Sequence, residues 1–177
     1  AILATSSELS SIAERLAAQG LVEESGGSYR LSAEGKLSAS ALFEADRAAV
    51  GDGRCTELLL QFHTLDARTK AIVTAWQVRD ADGEQTLNDH ADVAYDERVL
   101  GELATLDAET AEWLAPLAAQ VARYALYRSR LARALNHARS GDQRYVASPR
   151  VDSYHGVWFE LHEDLIRLAG RRRADEA

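Results

Sequence analysis

The sequence predicts a mainly α-helical chain in which a small N-terminal unit with a β-hairpin precedes an antiparallel bundle of helices. The 177 residues are rich in Ala, Leu, Glu and Arg and include two prolines, a composition that favours helix. Apolar residues recur at helical spacing along most of the chain. A hydrophobic content of 46% is sufficient for one buried core, or for a small domain joined to a larger one.

The N-terminal unit is expected to run helix, hairpin, helix. Apolar residues at helical spacing predict the first helix over 8–19. Two short segments with strand character follow, joined by a tight turn at Gly26 and Gly27. Ser32 is a good N-cap, so we expect a second helix over 33–48.

Two glycines at 51 and 53 are expected to separate this unit from a bundle of four or five helices. Pro116 is expected either to kink its helix or to lie in the first turn of a new one. The predicted domains are residues 1–50 and 54–170, with a frayed tail over 171–177. The bundle helices are expected to begin, in order, at Thr56, at Asp89 or Asp92, at Asp107, and at Asp152 or Ser153, with a polar connection over 79–89.

The last helix is predicted to continue to Gly170 and is the most informative stretch of the chain. Its apolar arc covers roughly 200°, more than a surface helix needs, so we expect the helix to be mostly enclosed. His155 and His162 are seven residues apart and fall inside this arc. Both are therefore expected to point inward, either as hydrogen-bonded core histidines or as functional groups.

The net charge of −8 is unevenly distributed. Counted from the sequence, residues 54–110 carry a net charge of −7 and residues 111–177 a net charge of +3. Such blocks can indicate a polyanion site. We expect instead that the acidic middle and the basic region that follows it pack together and neutralise each other.

RLAAQGLVEESGGSYRLSAEGK, over residues 15–36, resembles the recognition helix, wing and exit helix of MarR-type (multiple-antibiotic-resistance) regulators. The resemblance covers residues 1–47 and corresponds to the second half of a winged-helix domain. It implies a partial winged helix whose first helix enters the major groove while the wing contacts phosphate. The DNA-contacting residues that it implies are Ser7, Ser10, Ser11, Glu14, Arg15, Ser28 and Arg30.

The charge of this unit argues against strong DNA binding. Affinity for duplex DNA comes chiefly from Lys and Arg neutralising phosphates. Residues 1–50 carry a net charge of −3, and Arg15 and Arg30 are the basic residues expected near the contact face. A winged helix that serves in protein docking or structure is therefore the alternative.

A ligand pocket is predicted within the bundle, with aromatic walls and polar groups that orient an anionic molecule. Its nine expected residues are Trp76, Asn88, Asp89, His90, Arg150, Tyr154, His155, Trp158 and His162. We expect no metal, because the sequence contains no HExxH motif, no paired Glu-x-x-His and no Cys/His quartet. The other interpretation is helix capping by Asp89 or Asp92, beside a hydrogen-bonded histidine.

A second resemblance covers residues 60–170. The segments WQVR, NDH and PRVDSYHGVWFELHEDL resemble a helical accessory segment of pyruvate phosphate dikinase-like proteins. The resemblance implies an accessory or interaction module for an enzyme that uses phosphoenolpyruvate or pyruvate.

The leading prediction is a cytoplasmic, regulator-like protein that couples a winged helix to a bundle for ligand sensing or dimerisation. Its candidate partners are duplex DNA, a small anionic ligand, a partner enzyme or a second copy; the accessory module is the alternative. One cysteine, Cys55, and the lack of a secretion signal favour the cytoplasm, and no apolar stretch is long enough for a membrane span. Without a nucleophile elbow, P-loop or dinucleotide fingerprint, we expect no stand-alone catalysis and no cofactor.

Overall fold

A computed structural model describes residues 6–81 and 84–175. The mainly α-helical prediction is confirmed. Its elements are α1 (Ser6–Ala18), β1 (Val22–Ser25), β2 (Ser28–Leu31), α2 (Ala33–Val50), α3 (Asp52–Gln77), β3 (Val78–Ala81), β4 (Glu84–Leu87), α4 (Val93–Gln120), α5 (Arg123–Arg139), α6 (Arg144–Ala147), α7 (Tyr154–Leu168) and a 3-10 turn (Arg173–Asp175). Within these ranges, none of the helices is long and apolar enough to cross a bilayer.

The N-terminal unit forms at the places that its turn and cap residues indicate. Gly26 and Gly27 have φ angles of 59° and 79°, as a two-residue hairpin turn between right-twisted strands requires. The Ser32 hydroxyl accepts a hydrogen bond from the Gly35 amide at 2.9 Å and donates one to the Gly20 carbonyl at 2.6 Å. Ser32 therefore caps α2 and fixes it to the end of α1.

Over residues 6–81 and 84–175 the structure has two antiparallel strand pairs, where the sequence predicts one. In the first, β1 and β2 pair with Val22 opposite Leu31. In the second, β3 and β4 pair with Val78 opposite Leu87, inside the stretch predicted as a polar connection over 79–89. The prediction missed these two strands because ladder hydrogen bonds need no apolar alternation. All four residues of β4 are exposed.

Two predicted helix starts are also wrong. α3 begins at Asp52 rather than Thr56, because Gly51, with a φ of 92°, redirects the chain immediately after α2. Asp107 starts no new helix, since α4 is continuous over 28 residues. α4 also contains Pro116, whose side chain is exposed. A proline there leaves one carbonyl without its helical hydrogen bond, and on a solvent-facing side water can satisfy it.

The bundle core lies where α7 meets α3, α5 and α6, while α4 packs against α3 and α5. Ser153, one of the two expected caps, accepts from the Gly156 amide at 3.3 Å and begins α7. The apolar side chains of α7 fill the core, as expected of an enclosed helix. The buried residues of α7 are Tyr154, Val157, Trp158, Leu161, Asp164, Leu165, Ile166 and Leu168.

The ion pairs of the basic region differ from the expectation drawn from its charge. Arg123 pairs with Asp164 on α7, and with Asp46 on α2. Arg130 pairs with Asp152 at 2.6 Å and with Glu160 at 2.5 Å. These arginines thus neutralise carboxylates of α2, α7 and the turn before α7, rather than those of residues 54–110. The expectation is wrong for these two arginines but right for the packing, since α4 and α5 lie against each other. Burial raises the pKa of the Asp107 carboxyl on α4, and Arg128 of α5 partly offsets that rise.

Candidate ligand-binding groove

Asn88 connects the end of α3 to the first turn of α4. Its backbone amide donates to the Gln77 carbonyl at 2.9 Å. Its side-chain amide donates to the Trp76 carbonyl at 3.1 Å and to Asp96 Oδ1 at 2.8 Å. Because Asn88 is 8% exposed and Asp96 is also 8% exposed, these hydrogen bonds are largely shielded from water. Asn88 is therefore a fixed support for the residues beside it.

The imidazole of His90 is oriented by the same carboxylate. Its Nδ1 lies 2.8 Å from Asp96 Oδ2, and its ring lies against Trp76 with 4.6 Å between the ring centroids. An ionised carboxylate can only accept a hydrogen bond, so we assign the proton to Nδ1. In the neutral ring, Nε2 is then the nitrogen with a lone pair. This arrangement of carboxylate and imidazole is the one used to orient a histidine that binds or accepts a proton.

The backbone of His90 is strained. Among residues 6–81 and 84–175, it is the one non-glycine with a positive φ, at 61°. The His90 amide donates to Asn88 Oδ1 at 3.2 Å, which supports the turn. A left-handed conformation at such a residue costs roughly 1–3 kcal/mol, and such strain concentrates at functional sites.

His90 lines an open groove of about 590 Å³ between the α3 end of the bundle and α6. Trp76 and the exposed Leu87 provide apolar surface, and Gln143, Arg144 and Ser148 provide polar groups on the opposite side. The volume is within the range of small-molecule sites. The Arg144 guanidinium is already paired with Asp142 at 2.8 Å, which holds it in a defined place on the rim.

Of the nine predicted pocket residues, Trp76, Asn88 and His90 line this groove together. Asp89 is exposed beside them, and its carboxylate accepts from the Ala91 amide at 3.1 Å. The cap of α4 is Asp92, which accepts from the Tyr95 amide at 3.1 Å and pairs with Arg79.

The other predicted pocket residues lie elsewhere. Tyr154 and Trp158 are 0% and 2% exposed in the bundle core, so neither is a wall of an open pocket. Arg150 is exposed in the turn before α7. His155 is exposed rather than inward-facing, and so is Phe159 one turn later. The predicted arc was too wide, because residues at its edge remain outside the contacts with α3 and α5.

His162 is half-buried and lies in a separate aromatic cluster. Its ring centroid is 4.8 Å from that of Phe62 and 6.0 Å from that of His63. His162 therefore belongs to the α3–α7 interface, and the two histidines of α7 do not act in one site.

The predicted DNA-contacting residues all lie on α1 and the first hairpin. Ser7 belongs to α1, and Ser10, Ser11, Glu14 and Arg15 are exposed on the same helix; Ser28 and Arg30 are exposed on β2. Arg30 donates two hydrogen bonds to Glu23 on the neighbouring strand, at 2.8 and 3.1 Å. One of the two cations of this face is thus already paired with a carboxylate.

Asp96 is the residue of the groove that sequence reasoning missed, although a signal for it exists. The buried residues of α4 follow helical spacing, and Asp96 occupies the first position of that stripe, three residues before Val99 and seven before Leu103. A carboxylate that continues an apolar stripe must find a partner when buried. Here that partner is the pair of Asn88 and His90.

No family model matches the chain. Comparison with curated proteins and with solved structures also returns no match. Among the described residues, no three His, Cys, Asp or Glu side chains are grouped closely enough to hold a metal ion.

Proposed function

We propose that this chain is a ligand-responsive regulator, in which the groove beside His90 binds a small anionic molecule. The observation that carries the proposal is the His90 imidazole, held by Asp96 and Asn88 in a strained backbone and lining an open groove. Arg144 adds a cation on the far side of the groove. A guanidinium favours a carboxylate or phosphate, to which it can donate two hydrogen bonds.

In this proposal, the N-terminal unit is the part of the chain that binds DNA. Its order of helix, hairpin and helix supports the partial winged helix that the MarR resemblance implies. α1 would then contact duplex DNA and the hairpin would act as the wing. α2 packs against α3, α4 and α7, so a ligand that favours one packing of the bundle shifts the population of one orientation of this unit.

Binding at the groove is tested by titrating the protein with pyruvate and with inorganic phosphate while following tryptophan fluorescence, to which Trp76 contributes from the groove wall. We expect saturable binding that His90→Gln weakens at least tenfold, because the variant removes the imidazole that lines the groove. Asp89→Asn is the matched control, since Asp89 is exposed beside the groove and does not line it. Equal affinity of the wild type and His90→Gln would reject the groove as the site.

DNA binding is tested by electrophoretic shift with the native upstream region at two salt concentrations. The Arg15→Ala, Arg30→Ala double variant should bind more weakly and with a shallower salt dependence, because two phosphate contacts are lost. Unchanged binding of the double variant would exclude this face.

The second candidate function is an accessory module for an enzyme that uses phosphoenolpyruvate or pyruvate, with no role in nucleic-acid binding. It is favoured by the pairing of Arg30 with Glu23, which leaves the predicted DNA face with little net positive charge. Co-purification with such an enzyme, together with no affinity for duplex DNA at low salt, would support it.

A further inference from the structure

A second groove, separate from the one beside His90, lies between α2 and the C-terminal end of α7. Its volume is about 510 Å³, within the range of sites that hold small molecules. Lys36 and Arg47 line it from α2, and Arg167 and Arg171 line it from the α7 side. Among its described lining residues, Glu44 is the only carboxylate.

Four cationic side chains around one groove are unexpected in a chain with a net charge of −8. A cleft lined by one sign of charge concentrates the field and attracts the opposite ion. The Arg47 guanidinium pairs with Asp52 at 3.2 Å, but the Asp52 side chain is 85% exposed. Exposed pairs of this kind are weak, so a more highly charged anion can compete for Arg47.

Phe43 gives this groove an apolar surface as well. Its ring lies under the Arg123 guanidinium at 4.7 Å and within 6.0 Å of the Arg167 guanidinium. Arginine combines bidentate hydrogen bonding to phosphate with stacking on flat groups. The groove thus combines the partners of a phosphate group with a surface for an organic body.

We infer that this groove binds a small phosphate ester that carries at least two negative charges. The ligand would bridge α2 through Lys36 and Arg47, and α7 through Arg167. Because α2 carries the hairpin and α1, a bound ligand would fix the N-terminal unit to the bundle. The inference is independent of DNA binding and of the groove beside His90.

The test is calorimetric titration of the intact chain with inorganic pyrophosphate and with AMP at low salt. We expect both to bind, and the Lys36→Ala, Arg167→Ala double variant to lose at least tenfold in affinity for both. The matched control is Arg68→Ala with Arg98→Ala, which removes the same charge from exposed positions on α3 and α4. An equal loss in the control would show non-specific attraction and overturn the inference, as would the absence of binding to the wild type.

Two further measurements sharpen the result. Phe43→Leu should weaken AMP more than pyrophosphate if the organic body lies on the ring; equal weakening would assign binding to the phosphate groups alone and contradict the apolar part of the site. Bound ligand should slow amide hydrogen exchange in α2, and unchanged exchange would refute the bridge.

Discussion

The N-terminal unit and the bundle are stabilised in different ways. Every buried hydrophobic side chain that the structure describes lies between Cys55 and Leu168. In residues 10–50, where burial is described, Gly35 is the one buried residue. Hydrophobic burial is the main favourable term in folding. The bundle therefore has its own source of stability, whereas the N-terminal unit depends on local turns and on its contact with the bundle.

That contact is made mainly by α2 and is partly polar. Asp46 accepts from Arg123, whose guanidinium also donates to Asp164. Tyr124 and Tyr127 donate to the same Asp164 carboxylate at 2.8 and 3.0 Å. A carboxylate with several donors keeps its place, and removing it would leave buried donors unsatisfied. A polar network that begins in the bundle therefore helps to hold α2, and with it the N-terminal unit, in place.

The largest difference between the regions is expected from deleting a large side chain in each. Trp158→Ala should lower the free energy of unfolding by about 3–5 kcal/mol, because Trp158 is 2% exposed. Its ring also stacks on Phe62 at 4.9 Å, and its indole N–H donates to Asp66 at 2.9 Å. Leu37 on α2 is 67% exposed, so Leu37→Ala should change the free energy of unfolding by less than about 0.5 kcal/mol.

Urea unfolding followed by circular dichroism measures both free energies. A Trp158→Ala midpoint equal to that of the wild type would show that the bundle is not the stable region. A large loss in Leu37→Ala would show that α2 buries a surface in solution that is exposed in the structure.

A smaller and local effect is expected at Gly35, where α2 meets the residue that precedes β1. A Cβ at this position would lie 1.9 Å from the Leu21 carbonyl oxygen, which accepts from the Ser32 amide at 3.0 Å. Gly35→Ala should therefore lower the free energy of unfolding of the N-terminal unit by about 1–3 kcal/mol. Hydrogen exchange at the Ser32 amide should become faster while the urea midpoint of the bundle stays the same.

Gly53→Ala is the matched control, because a Cβ at Gly53 meets nothing within 4 Å. In a helix, alanine in place of glycine stabilises by up to about 1 kcal/mol. If Gly35→Ala unfolds the whole chain at a lower urea concentration, the two regions unfold as one unit and the comparison fails.

Local chemistry made the N-terminal unit and α7 predictable from sequence. Ser32 and Ser153 cap their helices, and Gly26 and Gly27 form their turn, because these residues favour those conformations in most contexts. The continuous α4 was not predictable in the same way. Asp107 is a residue that often begins a helix, but α4 continues through it and packs against α3 and α5.

The candidate groove could be predicted only in part. Three of its residues lie close in sequence to the junction of α3 and α4, so their proximity can be predicted from the sequence; they are Trp76, Asn88 and His90. Tyr154 and Trp158 share a helix face with His162. A helical wheel shows the direction in which each side chain points, but it does not show which part of the protein that side chain meets. Which face meets α3 and which meets solvent depends on the packing of distant segments.

The smallest effect is expected when the pH is lowered, which should neutralise a carboxylate that stabilises the bundle. The Arg130 guanidinium, followed by Arg133, holds the pKa of the Asp152 carboxyl below its ordinary value of 3.8 although burial opposes this. A carboxyl whose pKa is lower in the folded state contributes stability above its unfolded pKa and loses it as pH falls through the folded pKa. Asp152 should therefore stabilise the bundle at pH 5 and lose this contribution as the pH falls below the ordinary carboxyl pKa of 3.8.

Asp152→Asn removes this contribution without changing the size of the side chain. The variant should have a Tm about 1–3 °C below that of the wild type at pH 5, since a partly exposed ion pair contributes little. The two melting temperatures should begin to converge as the pH falls below 3.8, because the wild-type carboxyl is increasingly neutralised as well. Scanning calorimetry at pH 5, 4 and 3 measures this. A difference that grows on acidification would reverse the sign and would mean that Asp152 is not held ionised by the arginines of α5.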